Sequence, residues 1–206
     1  MSTGEGRKGR LGRIAAEFFV IFVGVTAAFF VEGYREDLDQ REDLRNAAAG
    51  ISEELARYET RGMEHVDSIF RSIERWEAAD RAGERRVPAF YRIPGAPLPP
   101  TAAWDAAVSS GVASLIEPEL RIELGYFYSE FVGIHQKYSR YAEFVDEEIL
   151  PRAGIGPEAF YDSSGVLEPP FRVHMALLGE FARDLRALTE VAADLRARLE
   201  ASVLGG

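Results

Sequence analysis

The chain has 206 residues, 24 Lys and Arg against 34 Asp and Glu, a net charge of −10 and no cysteine. That length accommodates one domain with a sizeable core, and the acidic balance excludes the basic face a nucleic-acid binder needs. Without cysteine there are no disulfides, thiol nucleophiles, zinc–thiolate centres, iron–sulfur clusters or covalently attached c-type haem.

Residues 1–13 form a basic tail, with Arg7, Lys8, Arg10 and Arg13 against Glu5. Residues 14–31 are then apolar throughout except for Glu17. With its flanks, roughly 20 helical residues at about 1.5 Å each cover a hydrocarbon core of about 30 Å, so a transmembrane helix is expected over 14–31. Val25-Thr26-Ala27 would suit a signal-peptidase site, but the apolar run continues through Phe29, Phe30 and Val31. That is too long for a cleaved leader, and an uncleaved anchor is the expectation. Glu17 falls one turn after Arg13, near the end of the span, where it can pair and reach the headgroups. Gly24 and Ala28 form a small-xxx-small pair that lets another membrane helix approach closely. Lys and Arg number four before the span and three just after it, which together with the amino terminus favours a cytoplasmic N-terminus.

Residues 32–206 read as an extramembrane helical-bundle domain. Apolar positions recur three and four apart from Ala48 through Ile51, Leu55, Tyr58, Gly62, Val66, Ile69 and Ile73 to Trp76. No proline interrupts residues 34–87, so one long helix is expected, with Gly50 and Gly62 as places for a bend. A short helix over Thr101–Ser110 follows, with Thr101 as its N-cap and Gly111 just past its end. Leu120, Leu124, Phe127, Phe131, His135, Tyr138, Ala142, Val145 and Ile149 mark a third helix, opened by Pro118. The last stripe, Phe171 to Leu199, alternates threes and fours as in a coiled coil and starts at Glu168-Pro169-Pro170. Proline-rich connections occupy Val87–Pro100 and Pro151–Pro170, and no strand alternation of useful length occurs. The expected fold is all-α: an N-terminal transmembrane helix followed by an up–down antiparallel helical bundle.

Two stretches carry a family resemblance. The first is Glu17-Phe-Phe-Val-Ile-Phe-Val-Gly24, followed by Tyr34, Arg35, Arg41, Leu44 and Glu54-Leu55. The second is Trp104, Ser109-Ser110-Gly111, Ile116, Leu120, Leu124, Tyr126 and Tyr128. Together they resemble an uncharacterised bacterial family of single-pass membrane proteins, in which one N-terminal membrane helix runs into a charged helix. The resemblance implies a single-pass bacterial membrane protein and brings no activity with it; with the Lys and Arg count, the expectation is an inner-membrane protein with its bundle in the periplasm.

Reactive groups are sparse. His65, His135 and His174 fall one on each long helix. If the second long helix descends from the top of the first, His65 and His135 share a height while His174 stands some 20 Å away, so no metal centre is expected. There is no G-x-S-x-G, P-loop, dinucleotide fingerprint or H-E-x-x-H, and neither enzyme activity nor a cofactor is expected. Glu53-Glu54 and Glu147-Glu148 are adjacent in sequence and read as solvated faces. The aromatic run Tyr126, Phe127, Tyr128, Phe131, Tyr138, Tyr141 and Phe144 has the spacing of plain core, although such rings also line pigment, quinone or lipid pockets.

Phe90-Tyr91 and Phe160-Tyr161 sit in the two proline-rich connections, as partner contacts or, for Phe160 and Tyr161, as a cap over the bundle. These features favour a non-catalytic accessory or scaffold subunit. It would dock on an integral-membrane complex, respiratory or of the photosynthetic reaction-centre–antenna type, or pair with itself through helix packing in the bilayer. The alternative is an extracytoplasmic sensor binding a small ligand between helices.

Overall fold

The structure is a computed structural model that describes the backbone of residues 5–93 and 100–204, and the side chains of 22–93 and 100–203. Every regular element among the described residues is helical: α1 over Glu5–Arg81, α2 over Ala102–Ser109, α3 over Pro118–Phe144, α4 over Leu150–Ala153 and α5 over Pro169–Leu199. Among the described residues the one β-type pairing is an isolated bridge between Tyr161 and Leu167. The all-α expectation holds, with α1, α2, α3 and α5 packed together through the contacts below.

The chain divides into two compact units, Met1–Leu44 and Arg45–Gly206. The first is the N-terminal part of α1, and its described apolar side chains are open: Phe22, Phe29 and Phe30 are 68, 74 and 76% exposed. Among the described residues no helix is long and apolar enough to cross a membrane. The structure therefore does not establish the transmembrane helix expected over 14–31, the first part of which, Glu17 included, lies outside the residues whose side chains are described.

In the second unit the apolar stripes become the core. From α1, Ala48, Ile51, Leu55, Val66 and Ile69 are fully buried. The whole α5 stripe from Phe171 to Leu199 is buried. The α1 helix does not stop at Gly62. This glycine is instead a close approach: a Cβ there would meet the Thr189 Oγ1 of α5 at 2.5 Å.

The direction of α3 departs from an up–down order. Glu54 of α1 meets Tyr128 and Tyr58 meets Phe131, so the numbers rise together and α3 runs parallel to α1. Against α5 they run in opposition: Glu59 pairs with Arg196 and Phe70 with Arg186, while on α3 Glu123 pairs with Arg198 and Lys137 with Asp184. The cause is the connection after α1, which is extended where described. At about 3.3 Å per residue, extended chain returns the length of the bundle where a tight turn would have reversed it. Both proline-rich connections accordingly meet at one end, where Arg85 pairs with Glu158 and the Tyr161 hydroxyl bonds Arg86.

Helix ends follow local chemistry, with one exchange. The Glu117 carboxylate accepts from the Glu119 and Leu120 amides and caps α3, which lowers its pKa. Gly111 takes the left-handed φ of 83° expected after α2. Thr101 does not cap α2, because its hydroxyl donates to Asp105; the Ala103 amide donates to Glu54 of α1 instead.

Two substitutions test this packing. Gly62→Ala, which helix propensity alone would favour by about 1 kcal/mol, is expected to destabilise the protein in chemical denaturation. The same change is expected to stabilise it in a Thr189→Ala background, where the clashing hydroxyl is gone. Phe160, 0% exposed and edge-on to Phe171 at 5.0 Å, closes the core at the loop end. Phe160→Ala is expected to cost about 3–5 kcal/mol by the same assay.

Candidate functional site

Residues 84–93 follow α1 without regular structure, yet Pro88 and Ala89 are buried. Their backbone polar groups therefore need partners from side chains. The Tyr161 hydroxyl accepts from the Arg86 amide at 3.1 Å and donates to the Arg86 carbonyl at 2.8 Å. Tyr141 and Tyr138 hydroxyls accept from the Tyr91 and Ile93 amides at 3.0 and 2.6 Å. The Ala89 carbonyl lies against the His174 imidazole as an acceptor. Each of these polar tips stands on an otherwise apolar stripe or loop. Together they bind the strap to α3 and α5.

His174 is the one of these groups whose ordinary pKa lies near neutral pH. It is 2% exposed, and Tyr141 and Phe144 lie nearly parallel to its ring at centroid distances of 4.5 and 5.0 Å. Burial lowers its pKa to about 4, against a smaller upward pull from the Ala89 carbonyl. It is therefore a neutral imidazole at physiological pH.

This imidazole also borders a groove of about 620 Å³ between α3 and α5. The walls are mostly apolar, with Tyr141 and Phe144 from α3 and Val173, Leu177 and Phe181 from α5. Lys137 and Arg140 face Glu180 and Asp184 at the rim, with Lys137 and Asp184 paired at 3.0 Å. Such a concavity is shaped to take a small molecule, and carries no nucleophile–base pair.

A second polar node lies where α1, α2 and α3 meet. Glu54 is 6% exposed and accepts from the Ala103 amide at 2.7 Å and the Tyr128 hydroxyl at 3.0 Å. Trp104 stacks on Tyr128 with centroids 5.4 Å apart. Burial and the carboxylate push the Tyr128 pKa far up, so that hydroxyl keeps its proton and donates. The node joins the two stretches that carried the family resemblance. Reading Glu54 as solvated surface is corrected here: Glu53 is exposed, but Glu54 points inward beside Leu55. Its place between Ile51 and Leu55 was the signal that it borders the buried stripe.

The loop aromatics differ in burial. Phe160 and Tyr161 are buried, the capping alternative, while Phe90 and Tyr91 are half-buried. The Tyr91 hydroxyl bonds His65 Nδ1. Through Tyr91 and Tyr141, His65 and His174 stand near one level of the bundle, where the sequence placed them apart on the assumption that α3 descends. Among the described residues no group of three or more His, Asp or Glu could hold a metal ion. Gly24 has open space around it, Ala28 is exposed, and neither is brought against another part of the first unit. Comparison with known proteins finds no matching family model, curated protein or solved structure.

The neutral state of His174 gives the fold an acid sensitivity whose sign is fixed. The unfolded chain binds the proton near pH 6.5 and the folded chain only near 4, so this contribution is full above 6.5. As pH falls from 6.5 towards 4, roughly 3 kcal/mol of stability is expected to be lost. His65, whose pKa burial also lowers, adds to the same slope. Denaturation midpoints across that window are expected to fall less steeply for His174→Phe.

Proposed function

We propose that this protein is a non-catalytic, membrane-anchored accessory subunit, a helical scaffold that docks on or braces a larger bacterial integral-membrane complex. Respiratory assemblies or a photosynthetic reaction centre with its antenna are the class of host. The observation that carries this reading is the described part of the 14–31 run: Phe22, Val25, Phe29, Phe30 and Val31 are each at least 50% exposed. An apolar surface on one stretch of helix is stable in water only when something covers it, and a bilayer or a partner's membrane helices do so. In this reading the anchor lies in the bacterial inner membrane, the N-terminus faces the cytoplasm and residues 32–206 face the periplasm. Glu17, Gly24 and Ala28 would meet partner helices.

The second unit fits a structural part. Several of its buried polar groups hold backbone: Glu54 at the start of α2, and Tyr138, Tyr141 and Tyr161 along the strap. Groups committed to backbone partners are poorly placed to move protons on a substrate.

Size analysis of the tagged full-length chain, extracted in mild detergent, is expected to find it in a large multiprotein particle. A lone protomer or simple homodimer at every loading would overturn the subunit reading. Gly24→Leu with Ala28→Leu sharpens the test, because a side chain added at Gly24 meets nothing within 4 Å of its own chain. The double variant is expected to melt normally and to lose about tenfold in co-purification, the size of one close helix–helix contact. In sealed spheroplasts, added protease is expected to cut near Ile155, which is 81% exposed; protection there would place the bundle in the cytoplasm.

A further inference from the structure

The groove between α3 and α5 has a chemistry that strap-holding does not use. Val173 and Leu177 leave 59 and 51% of their surface open along it, opposite the rings of Tyr141 and Phe144. The rim balances its charges, Lys137 and Arg140 against Glu180 and Asp184, and so selects neither anions nor cations. The polar atom left over is Nε2 of His174, on a ring that is 2% exposed and borders the groove, with no hydrogen-bond partner. In the tautomer that carries its proton on Nδ1, Nε2 is an acceptor.

We propose that this groove binds a neutral, largely apolar molecule carrying one hydroxyl, an alcohol or phenol whose O–H donates to Nε2 of His174. A buried acceptor without a donor is a standing cost, and a ligand hydroxyl removes it. The groove's volume of about 620 Å³ falls within the range of small-molecule sites. Phe144, half-exposed and stacked on the imidazole at 5.0 Å, is the ring that turns aside to admit the hydroxyl. Ethers, quinones and carboxylates present an acceptor to an acceptor, and the groove discriminates against them. None of this depends on membrane anchoring.

The test uses the full-length chain with ¹⁵N-labelled histidine in phosphatidylcholine nanodiscs, and two probes of matched shape, 4-butylphenol and 4-butylanisole. The phenol is expected to bind about tenfold more tightly than the anisole, one net hydrogen bond's worth. It is expected to move the His174 Nε2 resonance upfield, and the anisole to leave it in place. Leu177→Arg, at an exposed wall position, is expected to abolish binding of both probes without changing the melting temperature. His174→Phe is expected to remove the preference between them. Absence of phenol binding, equal affinity for the two probes, an unmoved Nε2 resonance at saturation, or undiminished binding to Leu177→Arg would each overturn the proposal.

Discussion

The fold depends on how a buried length of irregular chain satisfies its own backbone. Helices close their hydrogen bonds internally, but the strap after α1 cannot, and Pro88 and Ala89 within it are buried. Unpaired amides and carbonyls there would cost about 1–3 kcal/mol each. Three tyrosines and a histidine remove that cost, each offering an apolar body to the core and a polar tip to the strap. Residues that pattern-reading assigns to core therefore have a second duty, and an all-leucine version of these stripes would leave the strap without partners.

That strap in turn sets the topology. A tight turn after α1 would have made its successor antiparallel, whereas the extended return lets α3 start where Glu54 meets Ala103 and run parallel to α1. Glu54 then serves as the distant cap of α2 and the partner of Tyr128. A buried carboxylate is tolerable there because an amide and a phenol both donate to it. At the other end Tyr161 and Arg85 tie the α4–α5 connection to the beginning of the strap. Bonding at both ends fixes the α1–α3 direction more firmly than side-chain packing along two similar apolar stripes would.

The same economy bears on function. Within residues 45–206 most of the buried polar groups hold backbone, which suits a rigid body that presents surfaces. The Tyr58 hydroxyl, Trp76 Nε1 and His174 Nε2 have no such partner, and of these residues His174 lies on the edge of an apolar groove. In the first unit the exposed phenylalanines of 22–30 pose a separate requirement, for a covering that the chain's own described residues do not provide.

The sequence by itself determined the helices. The three- and four-residue spacing of Ile51, Leu55, Val66 and Ile69, and of Phe171 through Leu199, names the buried faces, and Pro118, Gly111 and Pro169 mark helix ends, all of which are local chemistry. The apolar run over 14–31 is likewise legible from composition alone. Only the tertiary structure decided the direction of α3, the inward turn of Glu54, the close approach at Gly62 and the meeting of His174 with Ala89. These depend on chain segments tens of residues apart arriving at one place, and periodicity carries information about a helix's face but none about which neighbour, or which direction, that face will meet.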